Sequence, residues 1–159
     1  MKKFICTFLL LAVLFAFCSY SVLCASSKSA ESVSEIIRRQ APEDFGYLDN
    51  TEYYMQYYFS ELSFVDDACI VACNESTNFN EFGVFHVKSE SNIKPCVKVL
   101  QSYLQKAKAR FKSGIVYDVQ EYPKFENAKV TVIGQYVIYT ILDSKQSKAA
   151  LDAVKNFLQ

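Results

Sequence analysis

His86 is the single histidine of the chain. A catalytic triad, a cysteine–histidine pair or a histidine-bearing metal site must therefore pass through it. In an extended run it shares a face with Val84 and Lys88, opposite Phe85 and Val87. That is the setting of a half-exposed strand histidine. Cys69 and Cys73 have C-x-x-x-C spacing, whereas redox dithiols use C-x-x-C at a helix start. The flanking residues favour a strand, which puts the two thiols about 13 Å apart, too far for a mutual bond or shared metal ligation. With Cys96 they read as three small apolar core residues. If a disulfide forms, it is expected to join Cys96 to one of the other two across a helix–sheet interface. Ser91-Asn-Ile-Lys94 has the S-x-x-K spacing of penicillin-recognising enzymes. The partner motifs are missing, and a helix-capping serine before a surface lysine explains both residues. Asp66-Asp67 reads as a solvated turn opening a strand, and Asn74-Glu-Ser76 is a glycosylation sequon that matters only in a eukaryotic secretory pathway. These residues lead to no expected catalytic centre, metal site or cofactor.

The tyrosines are different. Between positions 45 and 59 the chain carries Tyr47, Tyr53, Tyr54, Tyr57 and Tyr58, flanked by Phe45 and Phe59. On a helix Tyr54 and Tyr58 share a face with Leu62, while Tyr53 and Tyr57 share the neighbouring face. One stripe serves the core, and the second is wider than a small sheet edge needs. A tyrosine ring with its polar tip suits a partly exposed recognition surface. Tyr47, Tyr53 and Tyr57 are accordingly the candidate binding residues, an exposed patch for a protein or a glycan.

The elements that position these residues follow from periodicity. A first helix is expected from about Ser32, with Ser32 and Glu35 at capping-box spacing, Val33, Ile36 and Ile37 as its stripe, and Pro42 closing it. A second, capped by Asn50 or Thr51, carries Tyr54, Met55, Tyr58, Phe59 and Leu62. The pattern then turns to period two. Residues 67–73 and 82–88 form a first hairpin, and 129–133 and 135–142 a second, turning tightly at Gly134. Between them Ile93, Val97, Leu100, Leu104, Ala107 and Phe111 mark a long helix over 92–113, started by Ser91 and ended at Gly114. The stretch 116–127 is irregular or a short helical turn around Pro123. A last helix runs over 144–158, capped by Asp143 and Gln146.

This order predicts an α+β fold. Two ββα units form a four-stranded, mostly antiparallel sheet with helices on one main face, preceded by two N-terminal helices. Val97, Leu100 and Leu104 should lie against the sheet, over Val130, Val132 and Ile138 or their opposite-face neighbours. Tyr136, Val137, Ile138, Tyr139 and Ile141 are apolar on both faces, which suits a central strand or one covered twice.

Ahead of this domain, Lys2 and Lys3 precede an uncharged run from Phe4 to Leu23, and the first acidic residue is Glu31. A basic start, an apolar run and an exit near Ala25 describe a signal peptide. The run is also long enough for a membrane anchor, and Cys24 stands where a lipidated cysteine would. The expected organisation is 1–25 as signal peptide or anchor, 26–31 as a polar tether, and 32–159 as a single domain. The chain would be exported, secreted or attached to the outer face of the cytoplasmic membrane, touching membrane only through its N-terminal segment. Lys+Arg and Asp+Glu balance at 17 each, so the basic face of a nucleic-acid binder is missing.

Glu81-Phe-Gly-Val-Phe-His-Val-Lys88, the long helix after it, the run from Asn127 through Gly134 to Ile138, and the closing helix resemble the family DUF4358. It is a domain of unknown function in exported proteins of clostridial-type Gram-positive bacteria. The resemblance is clearest over 81–159. It implies export and the fold, and brings no activity with it. Members often carry a lipobox cysteine. Leu23 and Ser21 ahead of Cys24 depart from that pattern. The expected function is a non-catalytic binding or accessory domain whose partner is an envelope protein or glycan. The alternative is an enzyme of unrecognised type using His86 or a cysteine.

Overall fold

The computed structural model describes residues 28–44, 46–112 and 119–159. The leader, Cys24, residues 26 and 27 of the tether, Phe45 and the expected helix end at residues 113 and 114 lie outside the described residues.

Among the described residues five strands form one antiparallel sheet: β1 (Tyr47–Asp49), β2 (Val65–Cys73), β3 (Glu81–Val87), β4 (Lys129–Ile133) and β5 (Tyr136–Ile141), in the order β1-β2-β3-β5-β4. The expected four strands are thus corrected to five. β1 is only three residues long, too short to show alternation, and pairs Tyr47–Asp49 with Val71–Cys73. Every residue of β3 and β5 is buried. Gly134, at φ +58°, supplies the left-handed conformation of the two-residue turn between β4 and β5.

The α-helices among the described residues are α1 (Ala30–Gln40), α2 (Thr51–Tyr57), α3 (Ile93–Arg110), α4 (Tyr122–Asn127) and α5 (Ser144–Leu158). They cover both faces, correcting the single covered face. α1 and α5 pack over Cys69, Val71, Phe82, Val84 and Ile138. α2, α3 and α4 pack over Ile70, Phe85, Val137 and Tyr139. A strand that is apolar on both sides needs cover on both, and Phe82, Val84, Phe85 and Val87 make β3 such a strand. The two ββα units exist as an order in the chain. They are not placed as copies, because α3 and α5 go to opposite faces.

Local starts and stops differ in detail. Ser29 rather than Ser32 caps α1, its Oγ accepting from the Ser32 N–H. Asp67 Oδ2 accepts from the Ala30 N–H at 2.6 Å, satisfying another free donor of the first turn. The tyrosine helix α2 stops at Tyr57, short of Phe59 and Leu62, which are buried in the segment that follows. A 3-10 turn over Glu90–Asn92 precedes α3, so Ser91 does not cap it and shares a hydrogen bond with Ser89 instead. α5 begins as expected, with Asp143 accepting from the Lys145 and Gln146 N–H groups. Leu100 and Leu104 are buried on the sheet and Val97 and Val130 are partly covered, while Val132 on edge strand β4 is 42% exposed.

Candidate functional site

Glu81 opens β3 between Ala72 of β2 and Ile141 of β5. Its side chain points to the α2–α3–α4 face, where burying a carboxylate demands donors. Three phenols supply them. Tyr103 on α3 and Tyr139 on β5 donate to Oε1, and Tyr54 on α2 donates to Oε2, each at 2.7 Å. Burial pushes the Glu81 carboxyl above its ordinary range, opposed by these three hydrogen bonds. Burial and the neighbouring carboxylate raise the phenols of Tyr54, Tyr103 and Tyr139 in turn. Gly83 makes the arrangement possible. It faces Tyr139 across the ladder, and a Cβ there would stand 2.3 Å from Tyr139 Cε1.

Glu81, Tyr54 and Tyr103 line a cavity of about 370 Å³ together with Phe79, Phe111 and Phe125. The three phenylalanines pack on one another, with ring centroids 4.7–6.0 Å apart. The loop from Asn78 to Asn80 is pinned beside it by polar contacts. Asn78 donates to Glu43 Oε2 at 2.6 Å, Asn80 also donates to Glu43, and the Phe79 N–H donates to Glu121 Oε2 at 2.8 Å. Lys124 bridges Glu121 and Asn78.

A second feature lies on α2. Tyr53 and Tyr57 are 52% and 64% exposed, with ring centroids 4.8 Å apart. They line an open depression of about 750 Å³ with Asp49, Asn50, Glu52 and Gln56. Hydrogen bonds from Thr51 hold the Asp49 carboxyl below its ordinary range. Tyr47 does not join them. Its ring meets Phe82 edge-on at 5.3 Å in the other layer, and its hydroxyl donates to the Ala41 carbonyl.

His86 and the two aspartates are placed less openly than expected. His86 is buried, correcting the half-exposed reading, and donates from Nδ1 to Asp66 Oδ1 at 2.8 Å. The β2–β3 register slips between Val65 and Asp67, and the extra residue, Asp66, reaches His86. With Asp67 holding α1, neither aspartate is a mere solvated turn. Cys69, Cys73 and Cys96 are free thiols. Cys69 belongs to the α1–α5 face and Cys96 to the other, so the sheet stands between them and excludes Cys69 as the partner in the expected link of Cys96 to one of the other two thiols. Burial raises all three thiols, Cys96 to about 12. Among the described residues no group of three or more His, Cys, Asp or Glu side chains is placed to hold a metal ion, and no helix is long and apolar enough to cross a membrane.

The Glu81 cluster escaped sequence reasoning because a glutamate at a strand start ordinarily faces water. Tyr54, Tyr103 and Tyr139 come from three separate elements. The available signal was the glutamate's place at the head of an otherwise apolar strand.

Fold and site together define an α+β domain with a doubly covered antiparallel sheet and a buried carboxylate–tyrosine cluster beside an aromatic cavity. The chain belongs to the family described as Domain of unknown function (DUF4358), which matches residues 48–142. The matched stretch runs from β1 to just past β5, so it starts earlier than the clearest resemblance in sequence and stops before α5. No curated protein and no solved structure matches the chain.

Proposed function

We propose that this chain is an exported, non-catalytic binding domain of the cell envelope, and that it takes a glycan on the Tyr53–Tyr57 face. The observation that carries the reading is the pair of adjacent, exposed tyrosine rings. Aromatic planes suit the C–H faces of sugar rings, and the carboxylates and amides of Asp49, Asn50, Glu52 and Gln56 suit their hydroxyls. Buried thiols with raised pKa are poor nucleophiles, which weighs against a cysteine enzyme. Export rests on Lys2, Lys3 and the uncharged run to Leu23.

The test is binding of the full chain to isolated cell-wall polysaccharide. A Tyr53→Ser, Tyr57→Ser double variant should keep its circular dichroism spectrum and lose at least about tenfold in affinity, the order expected when hot-spot aromatics go. Unchanged binding by the folded variant ends the glycan proposal. Mass measurement of the protein from its host checks export, and a full-length cytoplasmic product would refute it.

A further inference from the structure

Glu81 is a buried carboxylate without a cation. Among the described residues it forms no salt bridge, and its partners are three neutral hydroxyls. Buried charges in proteins are normally paired. A carboxylate has about four acceptor positions. Oε1 uses two, for Tyr103 and Tyr139, and Oε2 uses one, for Tyr54, which leaves one position at Oε2. The group lines a cavity of about 370 Å³ rather than solid core, within the volume range of small-molecule sites. The lining also carries the rings of Tyr54, Tyr103, Phe79, Phe111 and Phe125, with the polar side chains of Glu75, Ser76, Asn78 and Asn80 beside them.

We propose that this cavity binds a protonated organic amine, with Glu81 as its counter-charge and the aromatic rings around its carbon skeleton. An ammonium group supplies both missing elements, positive charge and an N–H donor for the unused position at Oε2. Aromatic rings attract cations through their π faces and shelter attached carbon. A metal ion fits poorly, because hard divalent cations want several charged or carbonyl oxygens, and among the described residues no group of three or more His, Cys, Asp or Glu side chains is placed to hold one; Glu81 itself is surrounded by phenols already committed as donors. A carboxylate or phosphate ligand would meet Glu81 charge against charge. Arg110 also lines the cavity, with its guanidinium over the Tyr58 ring, 5.8 Å from the centroid. The site is separate from the Tyr53–Tyr57 depression and shares no lining residue with it.

The experiment is a titration of the full-length chain at neutral pH with three probes of one shape: phenethylammonium, neutral phenethyl alcohol and anionic phenylacetate. Binding is read by calorimetry and by tyrosine emission, since the chain has no tryptophan to obscure it. The amine should bind at least about tenfold more tightly than the alcohol, and the anion should not bind. Glu81→Gln keeps the size of the side chain and removes its charge, so the preference for amine over alcohol should vanish. If Glu81→Gln does not fold, the three-probe comparison on the wild-type chain still decides. Equal affinity for amine and alcohol, or no binding of the amine up to millimolar concentration, overturns the proposal. A glycan-binding failure of the Tyr53/Tyr57 variant leaves it untouched.

Discussion

Gly83 and Tyr139 show how one missing side chain shapes the buried cluster. They are register partners on the neighbouring interior strands β3 and β5, and the Tyr139 ring lies where a Cβ on residue 83 would have to be. The obstruction is a buried ring held at its far end by Glu81, so it has little freedom to swing away. Gly83→Ala should therefore destabilise the fold by about 1–3 kcal/mol, the usual cost of overpacking. Equilibrium denaturation measures this, and a variant as stable as wild type would mean that the ring yields. A lone glycine in an apolar strand is readable in sequence as a close approach, but which ring approaches is not. Glu81 was equally hidden, since residue type at a strand start gives no hint that three phenols converge on it. The thiols were more legible. Of the three expected as small core residues, Cys69 and Cys96 are buried and Cys73 is only partly so, and all three are free. Cys69 and Cys96 should alkylate slowly in the native chain and rapidly in denaturant. Rapid native labelling of both would contradict the burial.

Elements with strong periodicity were readable almost to the residue. β4 and α5 fall at Lys129–Ile133 and Ser144–Leu158, because alternation, a glycine turn and an aspartate cap all agree there. β1 was missed because three residues carry no period. α2 is shorter than its periodicity suggests, because Phe59 and Leu62 keep helical spacing after the helix has ended, and the core they join is the same. α3 carries the clearest stripe. Leu100 lies fully buried between α3 and the sheet, in the cluster that holds Val137 and Tyr139. Leu100→Ala should cost about 2–5 kcal/mol. A loss below about 0.5 kcal/mol, the range of surface changes, would mean that the helix does not rest on the sheet. Phe59, which touches Phe85, Tyr103 and Tyr139 rings, ties the segment after α2 into the same layer.

At the scale of the molecule, the double cover of the sheet follows from strands apolar on both faces. The run Tyr136–Ile141 carried that information, whereas the order of elements, two ββα units in succession, pointed to one covered face. Order along the chain leaves open which side a crossing helix takes, and burial on both sides settles it. The closed layer over the second face leaves Glu81 in a place where its charge is costly, with a consequence for the whole fold. Its carboxyl is raised in the folded state by burial. Below the unfolded value, about 4.3 for glutamate, both states hold the proton and its contribution to stability is complete. As pH rises, the unfolded chain releases the proton first and gains on the folded one, until pH passes the raised folded value. Stability from this group therefore falls with rising pH. Asp49 acts the other way, since its carboxyl is lowered and its contribution is lost as pH falls. Comparing wild type with Glu81→Gln cancels Asp49 and isolates Glu81. The stability difference, wild type minus variant, should decline as pH is raised from about 4, measured by denaturant unfolding at a series of pH values. Parallel stability curves for the two proteins would mean that Glu81 titrates in the fold as it does in the unfolded chain.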